Sequence, residues 1–493
     1  MDGTYDLAVI GAGPAGTNAA EVAAAFGRRV LVVERDRPGG VVATTGGAPT
    51  KTLREAALYL TGFGGTDVYG PSQARPLAET MAIVQRRVLD VRDRLQAIVA
   101  DRLAGLGVDY LRGTARLRPG GGVVVAPPGG PSRVVDARTV LLATGSRPAH
   151  PAGIPFADPD VYDSDEIFDI RTVPVDAVIV GGGAVGVEFA TVFAALGVPV
   201  TLVTRAARLL PQVDEEIAAL LTDDLRRRGV QVVCDTGIGA VTRVDGRLTL
   251  LLSTGAALDT AAVLVAAGRA ANTDGLDLAA AGVDVDGRGL IVVDRYYRTS
   301  APGVCAAGDA VGAGLASTAA QQGRAAACHA CGLVVGVATD QLAASAVYGM
   351  PEVAGVGMTE AQARAADLPH AVGRCDLVAT ARGVIAGHGG LLKLVFRADD
   401  RRLLGVHCVG DLAAEVLGMG HVALHSGWSV ERFLALGLNT PTYAEAYHDA
   451  AVDGLVRLAR MTAPRPAAAG EPERDDLPDR DQRSPRAGVV GVA

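Results

Sequence analysis

The sequence predicts an α/β protein in which two Rossmann-like dinucleotide-binding domains are followed by a C-terminal α+β domain. Residues 5–34 have the pattern of a strand, a glycine turn, a helix and a second strand, and residues 177–203 repeat it. Residues 345–463 differ, because VYGMPEVAGVG, LLKLVFRADDRRLLGVHCVG and two helical stretches indicate an antiparallel sheet beside helices. The repeat at domain scale indicates two bound dinucleotides rather than one.

The first repeat, YDLAVIGAGPAGTNAAEVAAAFGRRVLVVE, contains each part of a dinucleotide site. A short apolar strand precedes Gly11, Gly13 and Gly16, which give the spacing G-x-G-x-x-G at a tight turn. Small alanines allow the following helix to pack closely, and its positive N-terminus faces the phosphates. Glu34 ends the second strand about twenty residues later, where a carboxylate accepts hydrogen bonds from a ribose hydroxyl.

The second repeat has the same glycine spacing at Gly181, Gly183 and Gly186, but it ends differently. Its second strand ends at Thr204 and Arg205, where an NAD-selective site carries a carboxylate. A neutral threonine followed by Arg205, with Arg208 nearby, removes repulsion and offers cations to a 2′-phosphate. The pattern therefore predicts that NADP(H) is accepted here. The alternative is that the arginines only cover a solvated loop.

Further elements complete the two domains. Residues 78–106 have a largely helical apolar period and predict one long amphipathic helix. TVLLATG at 139–145 and AVLVAAG at 262–268 predict strands that end in glycine turns. Asp309 follows a third such strand, where a carboxylate can reach a ribityl or phosphate-proximal hydroxyl, and a helix is predicted for residues 319–335.

These elements set the expected domain boundaries. Residues 1–150 and 270–343 are predicted to form the first dinucleotide domain, and residues 151–269 the second. Residues 344–463 form the predicted C-terminal domain. The tail 464–493 is rich in Pro, Ala, Arg and Asp and is predicted to be disordered.

The composition indicates a globular protein that binds neither nucleic acid nor membrane. Of its 493 residues 49% are hydrophobic, and the net charge is -8 without a Lys/Arg block, which argues against nucleic acid as a partner. No uncharged apolar run reaches the ~18 residues that a membrane helix needs. Because a strand is predicted almost at the first residue, no signal peptide is expected and we predict a cytoplasmic protein.

Six cysteines are scattered through apolar segments, a distribution typical of reduced, buried thiols. The stretch from Cys328 to Cys331 has the C-x-x-C spacing of redox and metal motifs. However, the chain offers no second ligand pair at zinc spacing, and the surrounding GRAAACHACGLVV predicts a small-residue helix. We therefore predict a structural role for this stretch and no metal site.

Four ordered motifs together resemble one family. They are G-A-G-P-A-G at 11–16, A-T-G at 143–145, G-G-G-A-V-G-V-E at 181–188 and A-A-G-D at 306–309. Across residues 5–460 the chain resembles the two-dinucleotide-fold flavoprotein disulfide reductases, the family of glutathione reductase and dihydrolipoyl dehydrogenase. Within that family it is most similar to the transhydrogenase members. This similarity is carried by KTLREA at 51–56, SRPAHP at 146–151, YDSDEI at 162–167, GRAANTDGL at 268–276 and NTPTYAEAY at 439–447.

The resemblance implies FAD in the first domain and NADP(H) or NAD(H) in the second. The residues implied around FAD are Gly11, Gly13, Gly16, Glu34, Ala115, Gly145 and Asp309. Those implied around the nicotinamide nucleotide are Gly181, Gly183, Gly186, Thr204, Arg205 and Gly268. Lys51 matches the family lysine beside flavin N5, and Glu188 matches the glutamate paired with it. A fixed cation there stabilises the charge of a reduced flavin. The resemblance also implies a homodimer formed through the C-terminal domain.

The chain departs from the family where sulfur chemistry takes place. The positions of the paired cysteines hold Val42 and Gly47, so no thiolate can attack a disulfide there. Thr440 stands where the reductases have a histidine before proline, although Glu445 of that catalytic pair remains. The transhydrogenases usually keep the first cysteine. The loop is therefore either lined differently or opened for another substrate, and the sequence leaves both readings open.

The leading hypothesis is an FAD-dependent transhydrogenase that moves hydride from NADPH through flavin to NAD+ by a ping-pong route. A first alternative is a diaphorase, quinone reductase or biosynthetic tailoring oxidoreductase that uses the flavin face beside Val42 and Gly47. A second alternative is a flavoprotein binding module without turnover. Lys51 and Glu188 argue against the module, since a protein without turnover does not need them.

Overall fold

The computed structural model describes residues 4–61, 77–170, 172–334 and 342–462. Three five-stranded sheets organise this part of the chain. Within it, no helix has the length and apolar character needed to cross a membrane. The tail 464–493, predicted to be disordered, lies outside the described residues.

The first sheet is parallel and contains the strands of the first repeat. Its order is Val304–Ala306, Ala137–Leu142, Tyr5–Ile10, Val30–Glu34 and Asp109–Arg112. The helices Pro14–Ala25 and Ala316–Cys331 pack closely together, and a Cβ atom on Gly323 would lie 2.0 Å from the carbonyl oxygen of Ala15. Small residues at this contact allow the helix Ala316–Cys331 to pack on the first repeat. This helix and the strand Val304–Ala306 thereby complete the first dinucleotide unit.

The second sheet is also parallel and contains the second repeat. Its order is Gln231–Val233, Val200–Val203, Ala177–Val180, Ala262–Val265 and Val161–Asp163. The helix Ala184–Ala195 follows its first glycine turn, as Pro14–Ala25 does in the first sheet. The predicted repeat is therefore present in three dimensions.

The third sheet is antiparallel, as the change of pattern after residue 345 predicts. Its order is Ser345–Val347, Glu352–Gly357, Leu403–Gly410, Leu391–Arg397 and His370–Asp376. Four helices accompany it rather than the two expected, because two of them are too short to show a period. These helices are Glu360–Ala365, Ala381–Ala386, Ala413–His425 and Ala446–Thr462.

The remaining elements connect these sheets. The other helices are Gly40–Thr44, Ala48–Thr61, Leu77–Gly105 and Glu215–Arg227. Smaller sheets are formed by Thr114–Leu117, Val123–Ala126 and Arg133–Val135, by Ile238–Val244, Arg247–Leu252 and Ala257–Thr260, and by Ser146–Pro148 with Arg269–Ala271. Single 3-10 turns occur at Glu166–Asp169, Ala279–Ala281, Gly308–Val311, Leu377–Ala379, Val430–Ala435 and Tyr443–Glu445.

Two helix predictions differ from the structure only at their ends. The long helix expected for residues 78–106 is Leu77–Gly105. The helix expected for residues 319–335 is Ala316–Cys331, and it ends early because Gly332 adopts the left-handed conformation, with φ of +62°.

One hydrophobic core joins the second unit to its neighbours. Leu53 and Ala57 of the helix Ala48–Thr61 are buried in the same cluster as Phe189 of the second unit. Val347 and Met350, from the start of the third sheet, belong to that cluster as well. Parts of all three units therefore meet around the helix that carries Lys51.

A buried ion cluster fixes the junction between the second unit and the third sheet. Lys393 is 2% exposed, and its Nζ lies 3.0 Å from Asp214 Oδ1, 3.0 Å from Glu216 Oε2 and 2.8 Å from Glu360 Oε2. Arg374 Nε adds a 2.8 Å contact to Glu216 Oε1. Asp214 also caps the helix Glu215–Arg227 by accepting a hydrogen bond from the N–H of Glu216. This helix of the second unit is thus tied to strands of the third sheet.

Candidate functional site

The first glycine turn has the geometry of a phosphate cradle. Gly11 has φ of +105°, and a Cβ atom there would lie 2.3 Å from the carbonyl oxygen of Ala143. A Cβ atom on Gly16 would lie 1.9 Å from the carbonyl oxygen of Gly11. Gly13 is different, because the nearest atom to a Cβ there is Gly40 Cα at 3.7 Å. The turn is tight on its inner side and open at the helix N-terminus, where backbone N–H groups can bind a pyrophosphate.

Glu34 is held at the end of its strand with capacity for a ligand. Its Oε2 accepts a hydrogen bond from the N–H of Ala12 at 2.7 Å, and its Oε1 accepts one from Asp36 at 2.9 Å. A carboxylate has about four acceptor sites, so lone pairs remain for a ribose hydroxyl. Ala115 lies in the adjoining strand Thr114–Leu117, shortly after Gly113, whose N–H donates to the Glu34 carbonyl at 2.9 Å.

The second glycine turn repeats the first closely. Gly181 has φ of +124°, and a Cβ atom there would lie 2.2 Å from the carbonyl oxygen of Ala266. A Cβ atom on Gly186 would lie 1.8 Å from the carbonyl oxygen of Gly181, whereas one on Gly183 would meet nothing within 4 Å. The residues present therefore fit a dinucleotide at both turns.

The strand end beside the second turn carries one available cation and not two. Thr204 is buried, and its hydroxyl accepts a hydrogen bond from the N–H of Ala206 at 3.3 Å. Arg205 is exposed, and among the described residues its guanidinium has no hydrogen bond or ion pair. Arg208 was expected to offer a second cation, and this is wrong. Its guanidinium donates to the carbonyl oxygens of Leu209, Leu210, Pro211 and Val213 and so fixes the loop.

Asp309 belongs to a hydrogen-bond chain that sequence reasoning missed. Its Oδ2 accepts from the hydroxyl of Ser146 at 2.6 Å, and its Oδ1 accepts from the N–H of Gly314 at 3.2 Å. Arg269 Nε donates to the same Ser146 hydroxyl at 2.8 Å. Because Ser146 and Arg269 lie on the paired strands that connect the two units, Asp309 is positioned by both connections.

Gly145 and Gly268 lie immediately before these two connecting strands. Both have positive φ, +71° and +120°, which favours glycine. The carbonyl oxygen of Gly145 accepts from the N–H of Asn272, and that of Gly268 accepts from Ala149, each at 3.0 Å. The two glycines therefore turn the chain where it passes between the dinucleotide units.

Lys51 and Glu188 form the predicted pair, although they come from different units. Lys51 Nζ lies 3.0 Å from Glu188 Oε1 and 2.9 Å from Oε2. Lys51 Nζ also donates to the hydroxyl of Thr50 at 3.1 Å. The side chain of Glu188 is 10% exposed and that of Lys51 is 30% exposed. The carboxylate is thus enclosed, while the ammonium keeps one side open.

One further residue, Tyr348, contacts this pair from the C-terminal domain, and Arg54 holds the segment that carries it. The backbone N–H of Tyr348 donates to Glu188 Oε1 at 2.9 Å, and its ring centroid lies 4.7 Å from Lys51 Nζ. Arg54, one helical turn after Lys51, donates to the carbonyl oxygen of Gly349 at 2.9 Å. Arg54 belongs to the KTLREA motif, so its charge was visible in the sequence. The sequence does not indicate that its acceptor is the distant carbonyl oxygen of Gly349.

Gly47 packs directly against Val42 in the loop at the cysteine positions. A Cβ atom on Gly47 would lie 2.6 Å from both Val42 Cα and its carbonyl oxygen, and 2.9 Å from Val42 Cγ1. The N–H groups of Gly46 and Gly47 both donate to the carbonyl oxygen of Val41, at 2.8 and 3.2 Å. Replacement of two cysteines by valine and glycine has therefore left no space between the two positions.

We expect that restoring both cysteines will not restore a disulfide. Gly47→Cys places a Cβ atom into Val42, and such overpacking costs about 1–3 kcal/mol. The Val42→Cys/Gly47→Cys variant should therefore titrate with two more free thiols than the native protein and should be less stable. Val42→Cys alone is the matched control, with one new thiol and near-native stability. A double variant that oxidises to a disulfide while keeping native stability would contradict this geometry.

Glu445 does not reach the lysine–glutamate pair within one chain. Its Oε1 accepts from the hydroxyl of Thr440 at 2.5 Å, and its Oε2 accepts from the N–H of Thr442 at 3.4 Å. Among the described residues it has no hydrogen bond to Lys51 or Glu188. Glu445 therefore orders the turn around Pro441 in the C-terminal unit.

Comparisons with known proteins agree with this architecture. Residues 5–323 match the family described as pyridine nucleotide-disulphide oxidoreductase, and residues 343–451 match its dimerisation domain. A Mycobacterium bovis protein named soluble pyridine nucleotide transhydrogenase is 38% identical over 461 residues, covering 93% of this chain and 98% of that protein. A Marinomonas protein of the same name is 34% identical over 467 residues, covering 92% and 99%. The crystal structure of LpdA from Mycobacterium tuberculosis has a TM-score of 0.84 at 27% identity, covering 93% of this chain and 100% of that chain.

Two glycine turns of the same geometry, with a lysine–glutamate pair linking their units, define a two-dinucleotide oxidoreductase. The family matches make this specific, and the chain belongs to the pyridine nucleotide-disulphide oxidoreductase family. Membership implies FAD and NAD(P)(H) as the two dinucleotides and confirms the predicted fold, with the third sheet in the dimerisation domain. The chain is accordingly an FAD-dependent pyridine nucleotide oxidoreductase.

Proposed function

We propose that this protein is a pyridine nucleotide transhydrogenase that moves hydride from NADPH to NAD+. The observation that carries the proposal is the Lys51–Glu188 pair beside a loop that holds Val42 and Gly47 in place of two cysteines. The ammonium of the pair would stabilise the negative charge of a reduced flavin, and a loop without cysteines offers no thiolate for a disulfide route. The names of the relatives support the same activity.

We assign the two dinucleotides as follows. FAD would lie on the first turn, contacted by Gly11, Gly13, Gly16, Glu34, Lys51, Ala115, Gly145 and Asp309. The nicotinamide nucleotide would lie on the second turn, contacted by Gly181, Gly183, Gly186, Glu188, Thr204, Arg205 and Gly268. The corresponding domains are residues 1–150 with 270–343, 151–269, and 344–463.

The residues of this chain have separate tasks in the proposed reaction. Bound FAD would supply the hydride-accepting and hydride-donating chemistry between NADPH and NAD+. Lys51 places a positive charge where reduction adds negative charge, and Glu188 holds that ammonium by two short contacts. No thiol needs an acid–base partner, which is consistent with Thr440 in place of a histidine.

Both nucleotides would use the second site in turn. Thr204 is neutral and therefore does not repel a 2′-phosphate. Arg205 is exposed beside this strand end and can contact the phosphate. A site with one exposed cation and a neutral residue at the strand end can accept either form.

Arg205→Ala is expected to raise the KM for NADPH about 5- to 30-fold while leaving the KM for NADH unchanged. One exposed phosphate contact contributes about 1–2 kcal/mol. Steady-state assays with both nucleotides test this, and Arg208→Ala is the comparison because its guanidinium binds loop carbonyls instead. Equal losses for NADPH and NADH in Arg205→Ala would refute the assignment of this side chain.

We propose a cytoplasmic homodimer formed through the C-terminal domain. The match of residues 343–451 to a dimerisation domain supports the dimer. In such an assembly the C-terminal domain would cover the partner's flavin, and Glu445, whose carboxylate accepts a hydrogen bond from Thr440, would act there. No nucleic acid partner is proposed, given the net charge of -8.

Rapid mixing distinguishes the proposed function from its rivals. The FAD-loaded protein is first mixed with NADPH and then with NAD+, and flavin absorbance is followed. Fast bleaching and fast recovery support transhydrogenation. Recovery only with a quinone or oxygen would support a diaphorase or tailoring enzyme. Absence of bleaching would leave a binding module.

A further inference from the structure

We propose that Tyr348 is a positioning residue for the Lys51–Glu188 pair, through which the C-terminal domain helps to set how readily the bound flavin is reduced. The inference rests on the proposed function, because it concerns the cation that serves the flavin. Tyr348 lies at the tip of the hairpin formed by Ser345–Val347 and Glu352–Gly357. No motif in the sequence connects this tip with the first two domains.

Tyr348 contacts both members of the pair by different groups. Its backbone N–H donates to Glu188 Oε1 at 2.9 Å, so the carboxylate cannot rotate without losing a hydrogen bond. The centroid of its ring lies 4.7 Å from Lys51 Nζ, a distance at which an ammonium is attracted to an aromatic face. Each contact restricts one charge, and together they fix the direction in which the ammonium can point.

The hairpin tip is itself held against the two helices that carry the pair. Arg54 is 7% exposed, and it donates to the carbonyl oxygen of Gly349 and lies 3.3 Å from Glu352 Oε1. A Cβ atom on Gly349 would already lie 3.6 Å from the side chains of Val187 and Thr191, so the tip packs closely on the helix that contains Glu188. Tyr348 is therefore supported firmly enough to orient another side chain.

The aromatic ring, and not the hydroxyl, carries this role. Burial raises the pKa of Tyr348, so the hydroxyl stays protonated and adds no charge. Among the described residues the hydroxyl has no hydrogen-bond partner. Phenylalanine should consequently replace tyrosine without loss, whereas leucine keeps the backbone N–H but removes the attraction for the ammonium.

The test compares Tyr348→Phe and Tyr348→Leu in the full-length, FAD-loaded protein. The midpoint potential of the flavin is measured by equilibration with redox dyes and a chemical reductant, without nicotinamide nucleotide. We expect Tyr348→Leu to lower the equilibrium constant for reduction about fivefold, which is about 20 mV for a two-electron couple. Reduction by NADPH should slow by a similar factor, while the Kd for NADP+ stays native. Tyr348→Phe should match the native protein in all three measurements.

A native potential in Tyr348→Leu, or an equal shift in Tyr348→Phe, would overturn the inference. Tyr348→Met provides a second aliphatic side chain of similar length if the leucine variant folds poorly. A different result would contradict the proposed function: the flavin of the native protein would not be reduced by NADPH, or it would not be reoxidised by NAD+. The potential measured with a chemical reductant would still decide the role of Tyr348.

Discussion

Lys51→Met is expected to slow reduction of the bound flavin by NADPH about 10²-fold while FAD stays bound. Methionine keeps the length of the side chain but removes the charge that opposes negative charge on the reduced flavin. Loss of one preorganised electrostatic group commonly lowers a rate by about 10²–10³-fold. Stopped-flow absorbance measures the rate, and fluorescence after denaturation measures the FAD content.

Matched variants separate charge from packing at this position. Glu188→Gln keeps an acceptor for the N–H of Tyr348 but holds the ammonium less firmly, so a smaller decrease in rate is expected. Arg94→Met removes a comparable cation from an exposed pair with Asp90 and should have no effect on the rate. A native rate of flavin reduction in Lys51→Met would make the lysine a structural residue.

Lys393→Met is expected to lower the free energy of unfolding by about 3 kcal/mol or more. The substitution leaves Asp214, Glu216 and Glu360 around a buried position without their shared ammonium. Removing one partner of a buried ion pair costs about 3–5 kcal/mol, because the remaining charge is uncompensated. Thermal and denaturant unfolding of the FAD-saturated variant, with rates of flavin reduction as a second readout, measure the effect.

The pH dependence of this loss has a defined sign. Lys393 and Arg374 stabilise the charged carboxylates, and the pKa values of Glu216 and Glu360 are lowered despite burial, which acts in the opposite direction. Their stabilising contribution is present above the unfolded pKa, roughly 4.3, and is lost as the pH falls through the folded pKa. The deficit of Lys393→Met should therefore be largest near neutral pH and shrink below about pH 4.

Arg364→Met is the control for the buried cluster. Arg364 contacts the same Glu360 at 2.8 Å but is 67% exposed, so the loss should stay below about 1 kcal/mol. Equal destabilisation by Lys393→Met and Arg364→Met would mean that burial does not set the energy of this cluster.

The glycine turns were predictable because part of their requirement is local: a Cβ atom on Gly16 or Gly186 would meet the carbonyl oxygen of a glycine five residues earlier. A tight turn that approaches another carbonyl within about 2 Å of a hypothetical Cβ atom admits only glycine, and the spacing of glycines records this. Glu34 was predictable for the same reason, since strand length fixes where the carboxylate falls. The pairing of Lys51 with Glu188 was implied by the resemblance and not by a local pattern.

Contacts between distant segments could not be predicted from one sequence. The hydrogen bond from Tyr348 to Glu188 spans 160 positions, and that from Arg54 to Gly349 spans 295. Arg208 shows a different limit of sequence reasoning. Its charge suggested that it binds a phosphate, but its guanidinium donates to backbone carbonyl oxygens instead. Lys393 lies within an apolar strand, and only the packed structure explains why a charge is tolerated there.

The state of the cysteines bears on the conditions under which the protein can work. All six are unpaired, and burial raises the pKa of each thiol: Cys234, Cys305, Cys328, Cys331, Cys375 and Cys408. Peroxide attacks thiolates far faster than protonated thiols. Turnover that depends on no thiolate should consequently persist during oxidative stress, when enzymes with a reactive cysteine pair become inactivated.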